Sequence, residues 1–409
     1  MPPIYILEDG QLDQLYPLTY SRPAFLLRCG AYTLLDRMMY FIHQPISGLL
    51  VRDRMVNKLR QTFKLPINPK INKAKSAIFI NGRWLMDAPF TEPKVDSAAM
   101  VNNQVVWMHL SADNLARLDL RRLVGSKVLN DMLPHVGLEG VEAKLVEYPW
   151  DLLKLQHQAM LDDFARRGRA LDSQPLPGAH LLNPDNMNIA RDVAIDPGAV
   201  LDARKGPILI ESGTHIGAHA VITGPAFIGR DCVIRAGADI RGDTSIGRSC
   251  RIGGEVISSI FFANSNKQHY GFVGHSVVGE WVNLGAGVTT SNLKNTYGSV
   301  RMTVKGADIS TDMQFLGSVI GDHAKLAVGV YLSTGTVIGF SSHILVSRPP
   351  KYVPSFAWVT DRGIGKIDLN KALQIAKTVM ARREQEFTEA NQELFLRIAQ
   401  TWSSEEAAS

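Results

Sequence analysis

An α/β domain, then a coil of short β-strands, then a helical tail is the fold order the sequence predicts, and three observations predict it. Through the middle of the chain an aliphatic residue returns at every sixth position. Before that stretch, short apolar runs alternate with amphipathic ones, and after it an apolar stripe returns at every seventh position.

The first part, residues 1–172, alternates strand and helix signals. PIYIL is a strand candidate, TLLDRMMYFIH an amphipathic helix, GLLVRD, AIFING and NQVVWMHL further strands, and WDLLKLQHQAMLDDFARRG a closing helix with Asp151 near its start. Pro175, Pro177 and Gly178 then mark a linker, taken as residues 173–185.

The coil is taken as residues 186–348. Ile210, Ile216, Ile222, Ile228, Ile234, Ile240, Ile246 and Ile252 follow one another at six-residue steps. Ile189, Ile195 and Leu201 keep the step earlier, and Ile320, Leu326, Leu332, Ile338 and Ile344 resume it. Phe272, Val278, Leu284 and Thr290 are expected to hold the register between them. A step of six fits neither the 3.6-residue period of a helix nor the two-residue period of a lone strand. It fits flat faces joined by corners, and the small residue that often follows the aliphatic, as at Gly217, Gly229, Gly247 and Gly339, suits a tight corner. Such a coil becomes stable when successive turns cover one another.

After Ile344 the SRPPKYVPS stretch breaks the step, and residues 349–409 read as an extension carrying one long helix with Asp368 as its N-cap. Leu373, Met380, Phe387 and Leu394 recur every seven residues. Arg383 and Arg397 interrupt the companion positions of a coiled coil, so packing on the protein's own coil is expected.

The totals narrow the functional classes. A chain of 409 residues calls for more than one core, and 45% apolar with 20% charged residues is ordinary for a folded soluble protein. The net charge of +5 comes from dispersed Lys and Arg rather than a stripe, which argues against nucleic acid as a partner. Cys29, Cys232 and Cys250 are odd in number and have no metal-ligand spacing, so no disulfide framework is expected and a reducing compartment is. MPPIYILEDG lacks the features of a secretion signal, and no apolar run approaches the roughly 20 residues of a membrane span. A cytoplasmic protein with no membrane partner is the expectation.

Chemistry is expected where the repeat loses its cleanest form, between Glu255 and Gly271, where Lys267 and His269 emerge from a regular wall. An imidazole titrates near neutrality and could take a proton from an attacking amine or hydroxyl, although a loop histidine is also a common surface residue. Downstream, Asn283, Asn292 and Lys294 are expected near one side of the coil, with Gly285, Ala286 and Gly287 offering bare backbone to an extended ligand. Asparagine ladders that merely stabilise corners are the alternative.

The run NKQHYGFVGHSVVGEWVNLGAGVTTSNLKN resembles the active-site stretch of the acetyltransferase domain of bifunctional N-acetylglucosamine-1-phosphate uridyltransferases and their archaeal sugar-1-phosphate nucleotidyltransferase relatives. The resemblance covers about Ile189 to Ile344 and implies a left-handed parallel β-helix of hexapeptide repeats. It further implies acetyl-CoA or another acyl-CoA as co-substrate, a sugar phosphate or nucleotide sugar as acceptor, and a homotrimer. His269 takes the place of the general base, Arg235, Lys267, Phe272, Asn283 and Asn292 fall at substrate-binding places, and Gly285, Ala286 and Lys294 fall where the acyl-CoA is held. Phe272 replaces a tyrosine of the family, and Glu255 stands where a phosphate-binding lysine is expected.

The opening LEDGQLDQLYPLTYSRPAFLL resembles the signature of sugar nucleotidyltransferases, which implies an α/β nucleotidyltransferase-like domain. Leu7, Gly10, Arg22 and Arg28 are the nucleotide-binding candidates. Leu12, Gln14 and Ala24 replace a loop glycine, the catalytic arginine and the lysine of that signature, and Arg83 stands where a metal-binding aspartate follows Asn-Gly. The sequence assigns no metal ligand, and Mg²⁺ is expected only if this domain is active. Three functions stay open: acyl transfer by the coil, nucleotidyl transfer by the first domain, and a non-catalytic nucleotide-sugar-binding scaffold.

Overall fold

The computed structural model describes residues 1–407. The first domain is built on a six-stranded sheet whose strands lie in the order Ile46–Leu50, Ile4–Leu7, Ala77–Asn81, Gln104–Leu110, Ser97–Val101 and Gly137–Glu139. The first three run parallel and Gln104–Leu110 turns antiparallel. Thr33 starts the helix Leu34–Phe41 with a reciprocal capping box to Asp36, and Asp151–Arg167 closes the domain.

The coil is a left-handed parallel β-helix with three faces. One face lies under the first domain, a second carries the tail, and the third is open; they are called here the covered, lateral and open faces, and the chain visits them in that order on each turn. The step of six is the distance from one face to the next, and each face stacks its inward residues in register. On the lateral face the inward column runs Ile195, Ile216, Ile234, Ile252, Lys267, Leu284, Leu326 and Ile344. Removing each aliphatic from water contributes roughly 1.5–3 kcal/mol, which is why a coil of two- and three-residue strands holds together.

Four expectations need correction. The stretch 173–185 is not a linker but the first turn, since Ala170–Leu171 and His180–Leu182 already pair with the coil. The coil does not end near residue 348 either, because Tyr352–Val353 and Ala357–Thr360 add two further strands. The tail is two helices, Leu369–Ala381 and Glu389–Ala407, broken at residues 382–388. Val273, not Phe272, is the inward residue of its turn: the corner between Val273 and Val278 is one residue short, so a step of six counted back from Val278 lands on Phe272, which faces outward.

The first domain sits firmly on the covered face. Ile260, Val277, Val319 and Val337 pack with Leu15, Leu18 and Leu34 in one buried cluster, joined by Val300, Met302 and Leu316 from an excursion at residues 291–317. A buried ion pair fixes the seat, Arg22 reaching Asp322 at 2.6 Å, while Arg37 and Asp163, 2.7 Å apart, tie two helices together within the first domain. The tail also packs on its own chain, where Leu394, Phe395 and Ile398 share a core with Phe340, Phe356 and the first domain.

Candidate active site and the comparisons

Where the chain passes from the lateral to the open face, successive corners stack Arg235, Gly253–Gly254, Gln268–Gly271, Gly285–Gly287 and Ala327–Gly329. His269 is exposed on this corner, and its imidazole has no hydrogen-bond partner among the described residues. Lys267 does not emerge from the wall as expected. It occupies an inward position between Ile252 and Leu284, fully buried, and its Nζ donates to the carbonyls of Gly253 at 2.9 Å and His269 at 2.6 Å. No carboxylate pairs with it within ion-pair distance among the described residues, and burial lowers its pKa to about 8. An interior amine thus fixes the main chain on which the candidate base stands.

The glycines permit this close stacking. A Cβ on Gly254 would lie 2.8 Å from Lys267 Nζ, and one on Gly271 only 2.2 Å from the Val288 carbonyl oxygen, at a φ of +121°. Gly271→Ala is therefore expected to cost at least the order of 1–3 kcal/mol typical of forced backbone alone, read as a lowered denaturation midpoint; a variant as stable as the parent would show that the corner can yield.

Arg235 is exposed two turns before His269 on the same corner and makes no ion pair among the described residues. Tyr270, which the sequence did not single out, is 74% exposed, and its ring lies against Gly287, where an added Cβ would approach Tyr270 Oη to 3.3 Å. Gly285, Ala286 and Gly287 form the next turn of the corner, with Gly287 N–H donating to the Tyr270 carbonyl at 3.0 Å.

The open face leads from this corner to a second cluster. Phe272 lies outward on it, its ring over Gly274. Asn292 Nδ2 donates to His275 Nδ1 at 2.9 Å, and the His275 ring stacks on Phe315 at 5.3 Å. Burial lowers the pKa of His275, favouring the neutral ring that this bond requires. Sequence reading missed His275; its place in the corner immediately after the Phe272–Gly274 strand was the available signal. The two N–H groups of this strand, at Phe272 and Gly274, donate to the hydroxyls of Thr289 and Thr290 rather than to a main-chain ladder.

Asn283 does not lie with Asn292. Nine residues separate them, one and a half steps of the coil, so Asn283 faces outward on the lateral face between Asn266 and Lys325, while Asn292 stands at the far edge of the open face. Lys294 lies beyond it in the excursion, its Nζ donating to the Ser299 carbonyl and away from Gly285–Gly287.

In the first domain, Leu7 borders the crevice at the carboxyl ends of strands Ile4–Leu7 and Ala77–Asn81, where open α/β sheets bind ligands, whereas Gly10 packs against the Ser126–Lys127 backbone beside it. Here the crevice is only about 30 Å³. Arg83, fully buried, takes up Asp9 of its lining, with its Nε donating to Asp9 Oδ1 at 2.9 Å and its Nη1 to the Val146 carbonyl at 3.1 Å. Asn81 binds the same Asp9 at 3.0 Å, and Ser126 closes over Gly10. A guanidinium at this point neutralises the one carboxylate that could meet Mg²⁺, and among the described residues no group of three or more His, Cys, Asp or Glu could hold a metal ion. Arg22 and Arg28 are not in the crevice; they line a separate cavity against the coil.

Residues 4–170 match the family described as sugar nucleotidyl transferase. The first domain is thus similar to that family. The chain is similar to bifunctional protein GlmU of Nitrosospira multiformis, 26% identical over 264 residues that make up 58% of this chain and 54% of that one. It is also similar to a bifunctional sugar-1-phosphate nucleotidylyltransferase/acetyltransferase of Sulfurisphaera tokodaii, 37% identical over 90 residues, 22% of each chain. The chain spans about half the length of the GlmU relatives it matches. Among solved structures, a UDP-N-acetylglucosamine acyltransferase of Francisella novicida matches at 14% identity with a TM-score of 0.30, over 55% of this chain and 90% of that one. Beside its nucleotidyl transferase-type domain, the GlmU-like chain thus carries a β-helix with an exposed histidine on a glycine corner.

Proposed function

We propose that the coil transfers an acyl group, in the first instance acetyl, from acyl-CoA to an amine or hydroxyl of a sugar phosphate or nucleotide sugar. The observation that carries this reading is the exposed His269 imidazole on a corner whose main chain is pinned by Lys267 at 2.6 Å, beside the bare Gly285–Gly287 backbone. His269 takes a proton from the acceptor as it attacks the thioester carbonyl; the C–S bond breaks, CoA leaves as its thiolate, and the imidazolium returns the proton. Main-chain N–H groups of the corner steady the oxyanion, and Arg235 offers a cation for the acceptor's phosphate. Gly285 and Ala286 lie against the pantetheine arm, with Tyr270 as its neighbour. The names of the GlmU relatives, which pair two activities in one protein, support this reading.

The division of Asn283 and Asn292 between two faces supports a homotrimer in which the open face of one copy meets a neighbour. Val221 and Tyr331, 37% and 52% exposed on that face, suit such a contact. No described helix is long and apolar enough to cross a membrane, and the three cysteines are free and buried, in keeping with a cytoplasmic site of action. The testing experiment follows release of CoA thiol from acetyl-CoA over a panel of amino-sugar phosphates and nucleotide sugars; acceptor-dependent release is expected.

A second reading, nucleotidyl transfer, is favoured by the family match over residues 4–170 and opposed by the small crevice and by the Arg83 guanidinium that takes up its Asp9. Pyrophosphate release from nucleoside triphosphate and sugar 1-phosphate is expected not to exceed the blank. Release that disappears in Arg22→Ala would revive that reading.

A further inference from the structure

A cavity of about 400 Å³ opens where the first domain, the coil and the tail helices meet, on the side of the coil away from His269. That volume is within the range of small-molecule sites. Four cations line it: Arg22, Arg28, Lys58 and Arg248. Three carboxylates line it too: Asp322 and Glu280 both engage Arg22, at 2.6 and 3.7 Å, and neither they nor Glu386 come within ion-pair distance of Arg28, Lys58 or Arg248 among the described residues. Lys58 Nζ meets nothing more acidic than the Asn391 amide oxygen at 2.8 Å, and Arg28 donates to the Ala31 carbonyl; neither has a carboxylate within ion-pair distance among the described residues. Arg22 is 6% exposed, and its Nη1 has no partner although its Nη2 donates to Asp322. His323, 8% exposed, leaves Nδ1 unpartnered in the same wall.

Buried donors in native structures have partners, and buried cations have anions. A tetrahedral phosphate accepts several N–H groups at once and is the ligand that Arg and Lys bind together. The geometry points to a binding site for a small phosphorylated molecule, its phosphate received by Arg28, Lys58, Arg248 and the free Nη1 of Arg22, with Trp281 and Phe387 walling the remainder. Burial lowers the pKa of both Arg28 and Lys58, so an incoming phosphate relieves a cost the empty cavity carries. Because the lining comes from all three parts of the chain, an occupant ties the transferase-type domain and the tail to the coil. The inference does not depend on acyl transfer by the coil.

The test is titration calorimetry and thermal melting of the full chain with inorganic phosphate, a sugar 1-phosphate and a nucleoside diphosphate, at ionic strength held constant with KCl. At least one is expected to bind and raise the melting midpoint, with affinity falling tenfold or more in Lys58→Met and in Arg248→Ala, the latter altering only an exposed side chain. Equal binding of all three assigns the ligand to phosphate itself; binding of an organic phosphate alone assigns part of the recognition to the apolar wall. Arg235→Ala, on the His269 corner, is expected to leave this binding intact. No binding by any probe, or binding lost in Arg235→Ala and kept in Lys58→Met, overturns the proposal.

Discussion

Replacing His269 by alanine is expected to leave the coil folded and to lower acyl transfer by about 10²–10⁴-fold, the range for loss of a positioned general base. The imidazole is exposed and makes no hydrogen bond among the described residues, so its removal opens no cavity and leaves no buried group unpaired. Substitutions of that kind usually change stability by less than about 0.5 kcal/mol. The Gly285–Gly287 corner is untouched, so the KM for acetyl-CoA is expected to hold while kcat falls. Thiol release together with a thermal melt checks both halves. Turnover within twofold of the parent would remove His269 from the mechanism and direct attention to His275, which also stands at the open face. His275→Ala would then carry the loss, together with a drop in stability, because it strips Asn292 of its partner and Phe315 of its stacked ring.

The step of six was legible because every inward isoleucine from Ile210 to Ile252 obeys one geometric rule, and a rule repeated eight times is visible without a structure. The rule fails where corners change length. Between Ile252 and Val278 the step contracts, so counting sixes sends Phe272 inward and Lys267 outward, the reverse of what the chain does. Asn283 and Asn292 were misplaced as well, because the face a residue falls on depends on its place within the full turn of three steps, not within one step of six. The exposure of His269 was legible in the irregular stretch of the repeat, whereas its support by Lys267 was not, since nothing in a sequence says that a lysine side chain turns back beneath its own corner. The Asp9–Arg83 pair was half legible: the wrong residue at a metal position can be read, but the carboxylate it neutralises 74 positions away can be found only in space. The tail broke into two helices because Arg383 and Gln385 reach Asn266 and Asn264 on the coil, contacts that no helical period records.

Lys267 is the residue through which folding and chemistry oppose each other, and Lys267→Met separates them. Methionine has nearly the same length and suits the column between Ile252 and Leu284, so the interior stays filled. What changes is the charge. With a folded pKa of about 8 against the ordinary lysine value of 10.5, the native chain releases its proton more readily than the unfolded chain. Between those two values the unfolded state binds more protons, so the stability of the parent rises with pH across the window; below about 8 the full cost of the buried charge is present. The methionine variant lacks this dependence, and its stability relative to the parent is expected to be greatest near neutrality and to shrink from pH 8 to pH 10.5. Denaturant midpoints across that range measure it, and parallel curves for the two proteins would show that Lys267 carries no such burden. Activity is expected to move the other way. Without the two donated hydrogen bonds, the carbonyls of Gly253 and His269 lose their common anchor, and each such bond to a charged donor contributes about 1.5–3 kcal/mol. The imidazole then samples orientations away from the acceptor, so kcat is expected to fall about tenfold or more with the KM for acetyl-CoA unchanged, because a small misplacement of a reacting group costs rate steeply. A variant that is at least as stable as the parent near neutrality yet slower would show that the coil tolerates an interior amine in order to hold its base in place.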